Sequence, residues 1–328
     1  LYTFLGGFLA VSLTDFVQGT IMVLALVIVP IVAISEIGGI GETFSLINEK
    51  GDKYLDLFKG TTTISILSLL AWGLGYCGQP HILVRFMAID QPSDLAKARK
   101  IGITWMIFTV GGALLVGLVG IAYMLKFDQA TMMIYDYSQE KSETIFIYFS
   151  RILFHPLIGG FLLSAILAAV MSTISSQLLV TSSSLTEDIY KAFLNKKATP
   201  KQLLTASRLS VLIVAIVAVL LSLTPKDSIL DLVGNAWAGF GSAFGPIIIF
   251  SLFWRKTTWQ GALAGILIGG IVVLGWVYLD HSFKDWYEMI PGFISSVIAI
   301  LVVSLATQQP NQEIEKEFDE VNQLIKEN

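Results

Sequence analysis

Eight runs of about 20 mostly apolar residues constrain this chain more than anything else in it. They lie at 16–34, 61–84, 102–125, 157–184, 205–224, 230–253, 259–279 and 289–307. As a helix, a run of that length spans the hydrocarbon layer of a bilayer. Inside lipid every backbone N–H and C=O needs an internal partner, which runs of this length find in a helix. The chain therefore reads as an all-α polytopic membrane protein, with the lipid bilayer as its solvent. Only 14% of its residues are charged and 54% are hydrophobic, whereas a soluble domain carries about 25% charged residues.

Other features narrow the field by exclusion. A net charge of -4 implies no nucleic-acid partner, and nothing in the sequence implies a protein partner. A lone cysteine, Cys77, excludes an internal disulfide. His81, His155 and His281 are too far apart in sequence to show metal-ligand spacing. Leu1 already stands in an apolar stretch without a basic region before it, so the start is not a signal peptide. The expectation is a natural protein that begins earlier. Residues 1–9 then read as the end of a truncated transmembrane helix, 10–307 as the membrane domain and 308–328 as a polar cytoplasmic tail. Residues 143–154 read as a short interfacial helix.

Orientation follows the distribution of positive charge. One set of short connections carries Arg85, Lys97, Arg99, Lys100, Lys191, Lys196, Lys197, Lys201, Arg208, Arg255 and Lys256. The opposite, longer set carries eight basic residues, from Lys50 to Lys284, and fourteen acids, among them Glu36, Asp128, Asp231 and Glu288. The first set is expected in the cytoplasm. Eight alternating spans then leave the C-terminus there, in a multi-pass protein of the cell membrane.

One span is interrupted. Trp72-Gly-Leu-Gly-Tyr-Cys-Gly-Gln-Pro-His81 holds three glycines and a proline in ten residues. Broken backbone at membrane depth is tolerated only where it is enclosed by protein or lines a watery cavity, and it is a pointer to a transporter binding site. On a helix, Trp72, Tyr76 and Pro80 would share one face. Unwound backbone would offer N–H and C=O groups to a solute, and the rings would suit its apolar part. The alternative is small residues at a helix–helix contact; the combination of features favours a site.

A second stretch, Ser164 to Ser184, crowds one span with small and hydroxyl residues and no charge. Ser172, Thr173 and the carbonyl of Ala169 could offer oxygens to a hard cation. Equally, the hydroxyls can bond back to their own helix. A third, Gly234 to Gly245, sets Gly234, Gly241 and Gly245 among Trp237, Phe240 and Phe244 and reads first as a close-packing seam. Asp15 stands just before the apolar run 16–34. It marks either a solvated helix start or the border of an ion pathway.

These motifs carry a resemblance. Trp72 to Ala88 and Ser164 to Gln177, with Gly6 to Gln18 and Lys256 to Gly265, resemble the sodium:solute symporter family over essentially the whole chain. The resemblance implies a LeuT-like inverted-repeat fold, two repeats of five helices around a midplane site. The spans from 16–34 to 230–253 then look like core helices five to ten, with an incomplete first repeat that lacks the first core helix. It also implies a secondary active transporter, not an enzyme, coupling sodium influx to uptake of L-proline, with sodium the co-transported ion. Ala169, Ser172 and Thr173 match half of a sodium (metal) site, Trp72, Tyr76 and Pro80 match substrate-binding positions, and Asp15 matches an accessory acid of the ion pathway.

Rivals remain at this point. Another solute of the same family, such as pantothenate or a sugar, fits the same motifs. A transporter-like sensor domain would continue into a signalling module. An intramembrane enzyme lacks support from paired acids or a metal set, and a channel from a repeated filter or charged ring.

Overall fold

The computed structural model describes residues 2–51, 54–127, 143–223, 229–279, 283, 285–307 and 312–327. Asp128, His281, Lys284 and the linker 308–311, used above for orientation, metal spacing and the tail, lie outside the described residues. The helices in chain order are α1 (Tyr2–Ile37), α2 (Ile40–Lys50), α3 (Thr63–Ala71), α4 (Pro80–Met87), α5 (Leu95–Phe127), α6 (Ile145–Ile152), α7 (Pro156–Ser183), α8 (Pro200–Ser222), α9 (Ile229–Phe253), α10 (Trp259–Tyr278), α11 (Met289–Thr307) and α12 (Gln312–Glu327). A 3₁₀ segment, Trp72–Gly78, joins α3 to α4, and a π-helix, Ser184–Leu194, extends α7. No strand occurs among the described residues. Among the described residues, seven helices are long and apolar enough to cross a membrane, so the all-α polytopic class holds. The run 61–84 is not one helix but three short pieces around the 3₁₀ turn.

The chain forms two compact units, each drawing on two stretches of sequence: Leu1–Gly60 with Leu95–Leu220, and Thr61–Asp94 with Leu221–Asn328. In the first, α1 packs against α5 and α7. Ala25, Val29, Ala33 and Ile37 recur every four residues on α1, so they form one stripe. That stripe meets Val116, Val119, Phe149 and Leu162 in the core. The predicted short helix at 143–154 is present as α6, with Phe149 fully buried. Helix α1 breaks at Gly7, whose φ of 56° and ψ of -145° are non-helical. A positive φ costs glycine little because it has no Cβ. The helix restarts there and runs on to Ile37.

In the second unit, α9, α10 and α11 pack together, and the 3₁₀ turn packs on α9. Buried Gly261, Gly265 and Gly269 form a seam on α10. Cβ atoms on the first two would stand 1.9 Å from Ser304 Oγ and 2.4 Å from Ile300 Cγ1 of α11. Small residues at four-residue spacing let two backbones approach this closely. The tail helix α12 is anchored by Arg255, which holds Asp319 through Nε and an NH2 group at 3.0 and 2.9 Å and Glu315 at 3.0 Å. These hydrogen bonds hold the Asp319 carboxyl below its ordinary range.

Candidate functional site

The interrupted segment is a 3₁₀ helix, and that changes which residues share a face. With three residues per turn, positions i and i+3 eclipse. Trp72, Gly75 and Gly78 therefore line up, with Tyr76 a third of a turn away. The expectation that Trp72, Tyr76 and Pro80 share a face is corrected here, because it assumed a period near 3.6.

The Trp72–Gly75–Gly78 edge packs on α9. A Cβ on Gly75 would lie 2.0 Å from Trp237 Nε1, and one on Gly78 would lie 2.5 Å from the Phe240 carbonyl. Gly241 approaches Gly75 in the same way. The Gly234–Gly245 seam is thus the close-packing surface the sequence suggested. The Trp72 ring stacks on Trp237 at 5.6 Å and on Tyr287 at 5.9 Å, with interplanar angles of 14° and 12°. Tyr76 meets Trp237 edge-on at 4.8 Å. Each such pair contributes about 0.5–1.5 kcal/mol beyond the area it buries.

Side chains tie the turn and its surroundings to α9 through backbone carbonyls. Trp237 Nε1 donates to the Trp72 carbonyl at 2.9 Å, and Gln79 Nε2 donates to the Trp237 carbonyl at 3.1 Å. The Tyr287 hydroxyl donates to the Gly234 carbonyl at 2.9 Å. Trp237, Tyr287 and Gln79 were assigned no site role from sequence. Trp237 and Gln79 lie inside the glycine-rich motifs, whereas Tyr287 belongs to none. Burial, reinforced by nearby Asp231, pushes the carboxyl of neighbouring Glu288 up from its ordinary value.

The opposite edge of the turn is open. Nothing lies within 4 Å of a Cβ built on Gly73, and Tyr76 is 49% exposed. Pro80 follows at the first turn of α4, where its fixed φ suits a helix start and its missing N–H is no loss.

In the first unit, Ala169, Ser172 and Thr173 lie on α7, which is regular helix at this point. Thr173 Oγ1 donates to the Ala169 carbonyl at 3.0 Å, and Ser175 Oγ donates to the Ser172 carbonyl at 3.1 Å. Two of the three predicted oxygens therefore stand together, bonded within one helix. Ser172 and Ala169 are half-buried and Thr173 is exposed. Asp15 is half-buried in α1, eight residues past the break at Gly7. It is inside a helix rather than at a solvated start, because the helix begins before the apolar count does. Among the described residues, no group of three or more His, Cys, Asp or Glu side chains is arranged to hold a metal ion.

The model of the sodium:solute symporter family matches residues 1–269. The osmoregulated proline transporter OpuE of Bacillus subtilis is 56% identical over 99% of the chain and 65% of its own length. The sodium/proline symporter 2 of Staphylococcus saprophyticus is 52% identical over 99% and 64%. The high-affinity proline transporter PutP of Bacillus subtilis is 51% identical over 97% and 66%. The chain thus spans just under two thirds of the length of these relatives.

Proposed function

The chain belongs to the sodium:solute symporter family, and from that membership we propose that it is part of a secondary active transporter coupling sodium influx to uptake of L-proline. One observation carries the reading: over 97–99% of this chain, relatives at 51–56% identity are named as proline transporters or symporters. No covalent chemistry is required. Coupling needs only that sodium and solute bind one conformation better than the other.

In this reading the Ala169 carbonyl and the Ser172 and Thr173 hydroxyls supply neutral oxygens to sodium, which suits a hard cation. Thr173 Oγ1 donates to the Ala169 carbonyl at 3.0 Å, which keeps these two oxygens side by side, and the hydroxyl would turn from that carbonyl to meet the ion. The open edge of the 3₁₀ turn presents Tyr76 to the solute, whose ring methylenes an aromatic face suits. Trp72, stacked between two rings, holds the turn in shape, and Pro80 fixes where α4 begins. Asp15, an acid inside an apolar helix, borders the ion's route. The basic turns face the cytoplasm, and the C-terminus lies on that side.

Uptake of radiolabelled proline by the full-length protein in liposomes tests this. Accumulation is expected with an inward sodium gradient and not with potassium in its place. Sodium-independent uptake overturns the coupling, and uptake of pantothenate or a sugar in preference to proline overturns the solute.

A further inference from the structure

Given that Tyr76 faces the solute, as proposed above, we infer that Trp237 of α9 is a positioning residue: by fixing Tyr76 it sets which ring sizes the solute site accepts.

Trp237 is held from several sides. Its Nε1 donates to the Trp72 carbonyl at 2.9 Å, and its own carbonyl accepts from Gln79 Nε2 at 3.1 Å. Its ring stacks on that of Trp72 at 5.6 Å. Gly75 lies directly against the indole: a Cβ there would stand 2.0 Å from Nε1 and 2.4 Å from Cδ1. Next along α9, Ala238 is fully buried in the core of the second unit, so the backbone that carries the indole is anchored too. Indole combines a large flat ring with a single donor and no acceptor, which is the combination the Trp72 ring and carbonyl call for.

Tyr76 is placed in the opposite way. It is exposed on the open edge of the turn, where Gly73 has free space beside it. Among the described residues its hydroxyl makes no hydrogen bond, and Trp237 is its one aromatic neighbour, edge-on at 4.8 Å. An exposed side chain hops between rotamers in picoseconds to nanoseconds. The edge of a fixed indole removes that freedom on the side toward α9. Tyr76 therefore takes its orientation from another helix.

Ring size is what such a wall reads. Proline and its homologue with one more ring methylene, pipecolate, carry the same charges and differ in bulk. One methylene in a hydrophobic pocket is worth about 10–200-fold in selectivity. That discrimination requires walls that do not give way, so the side chain touching the solute must be locked by a neighbour behind it. Trp237 is that neighbour. A tryptophan that only held the turn together would alter uptake of the two solutes alike, whereas one that positions Tyr76 alters their ratio.

The test is uptake of proline and of pipecolate by the full-length protein in liposomes, compared as the ratio of their kcat/KM values, in which the amount of folded transporter cancels. Trp237→Phe keeps a ring that stacks and deletes the donor and the outer edge. The ratio is expected to fall about tenfold, chiefly through a higher KM for proline. In a Tyr76→Ala background the same substitution should leave the ratio where Tyr76→Ala alone puts it, because the two residues act as one unit. An unchanged ratio in Trp237→Phe, or an equal fall with and without Tyr76, overturns the role of Trp237 and leaves the transport reading standing. Proline kinetics unaltered by Tyr76→Ala would remove Tyr76 from the solute site, and the role of Trp237 with it. Should Trp237→Phe fail to fold, Gln79→Met, which releases the Trp237 carbonyl and spares the indole, takes its place. A fall of about threefold is then expected, and an unchanged ratio overturns the role.

Discussion

The 3₁₀ turn at Trp72–Gly78 and the hydroxyl stripe on α7 are assigned complementary tasks, one toward the solute and one toward the ion. They are built in opposite ways. The turn gives up helical hydrogen bonds and has them replaced from a distance: Trp237, more than 150 residues away in sequence, takes the Trp72 carbonyl and stacks on the Trp72 ring. The stripe stays fully helical, and Thr173 is satisfied by the carbonyl four residues before it. The turn is therefore shaped by tertiary packing, while Thr173 is held by a bond within its own helix. A hydroxyl bonded back to its own helix is inexpensive to redirect. It can turn toward a cation without disturbing a core, whereas the turn cannot change shape without unstacking three rings.

Substitutions can break that contrast. Gly75→Ala places a methyl group 2.0 Å from Trp237 Nε1 and should cost about 3 kcal/mol, read as a fall in the unfolding midpoint. Gly73→Ala, with open space around it, should be tolerated. Equal sensitivity at both positions would remove the face assignment of the 3₁₀ turn. Next in size, Trp237→Phe keeps an aromatic ring but strands the Trp72 carbonyl, a loss of about 2 kcal/mol; unchanged stability would show that the distant partner does not hold the turn.

Thr173→Val keeps the shape and deletes the hydroxyl. The midpoint should hardly move, yet the sodium concentration for half-maximal proline uptake should rise about tenfold. Normal sodium activation in that variant and in Ser172→Ala would end the ion assignment. The smallest effect is at Glu288, beside the ring stack. Burial raises its carboxyl above the ordinary value of 4.5. The folded state then binds the proton more tightly than the unfolded one, so stability falls as pH rises from 4.5 through that raised value. Glu288→Gln should flatten this slope and raise the midpoint at neutral pH by about 1–2 °C. An unaltered slope would mean that the carboxyl beside the stack is fully solvated.

Much of this was visible in the residues, for reasons that also explain what was not. Three glycines and Pro80 announced broken backbone, because each disfavours an α-helix interior. They did not announce its period, since 3₁₀ and α turns differ by a fraction of a residue and are separated by tertiary contacts. The glycine seam at Gly234–Gly245 announced close packing but not its partner, because a small residue records only that something comes near. Tyr287 carried no signal, since one tyrosine at a helix entrance is ordinary. Asp15 was misplaced because hydropathy begins its count at residue 16, while the helix begins where Gly7 changes hand. The back-bond on α7 was legible as one of two readings of that stretch, because Ala169 and Thr173 sit four apart and that spacing produces the 3.0 Å contact.

The seam between α10 and α11 has a practical consequence. Ser304 and Ile300 occupy the space that side chains at Gly261 and Gly265 would fill, so neither helix can slide past the other without collision. The pair is therefore expected to move as one strut. Spectroscopic labels placed one on each helix should keep a constant separation through a transport cycle, giving an internal ruler against which distances elsewhere in the protein can be calibrated.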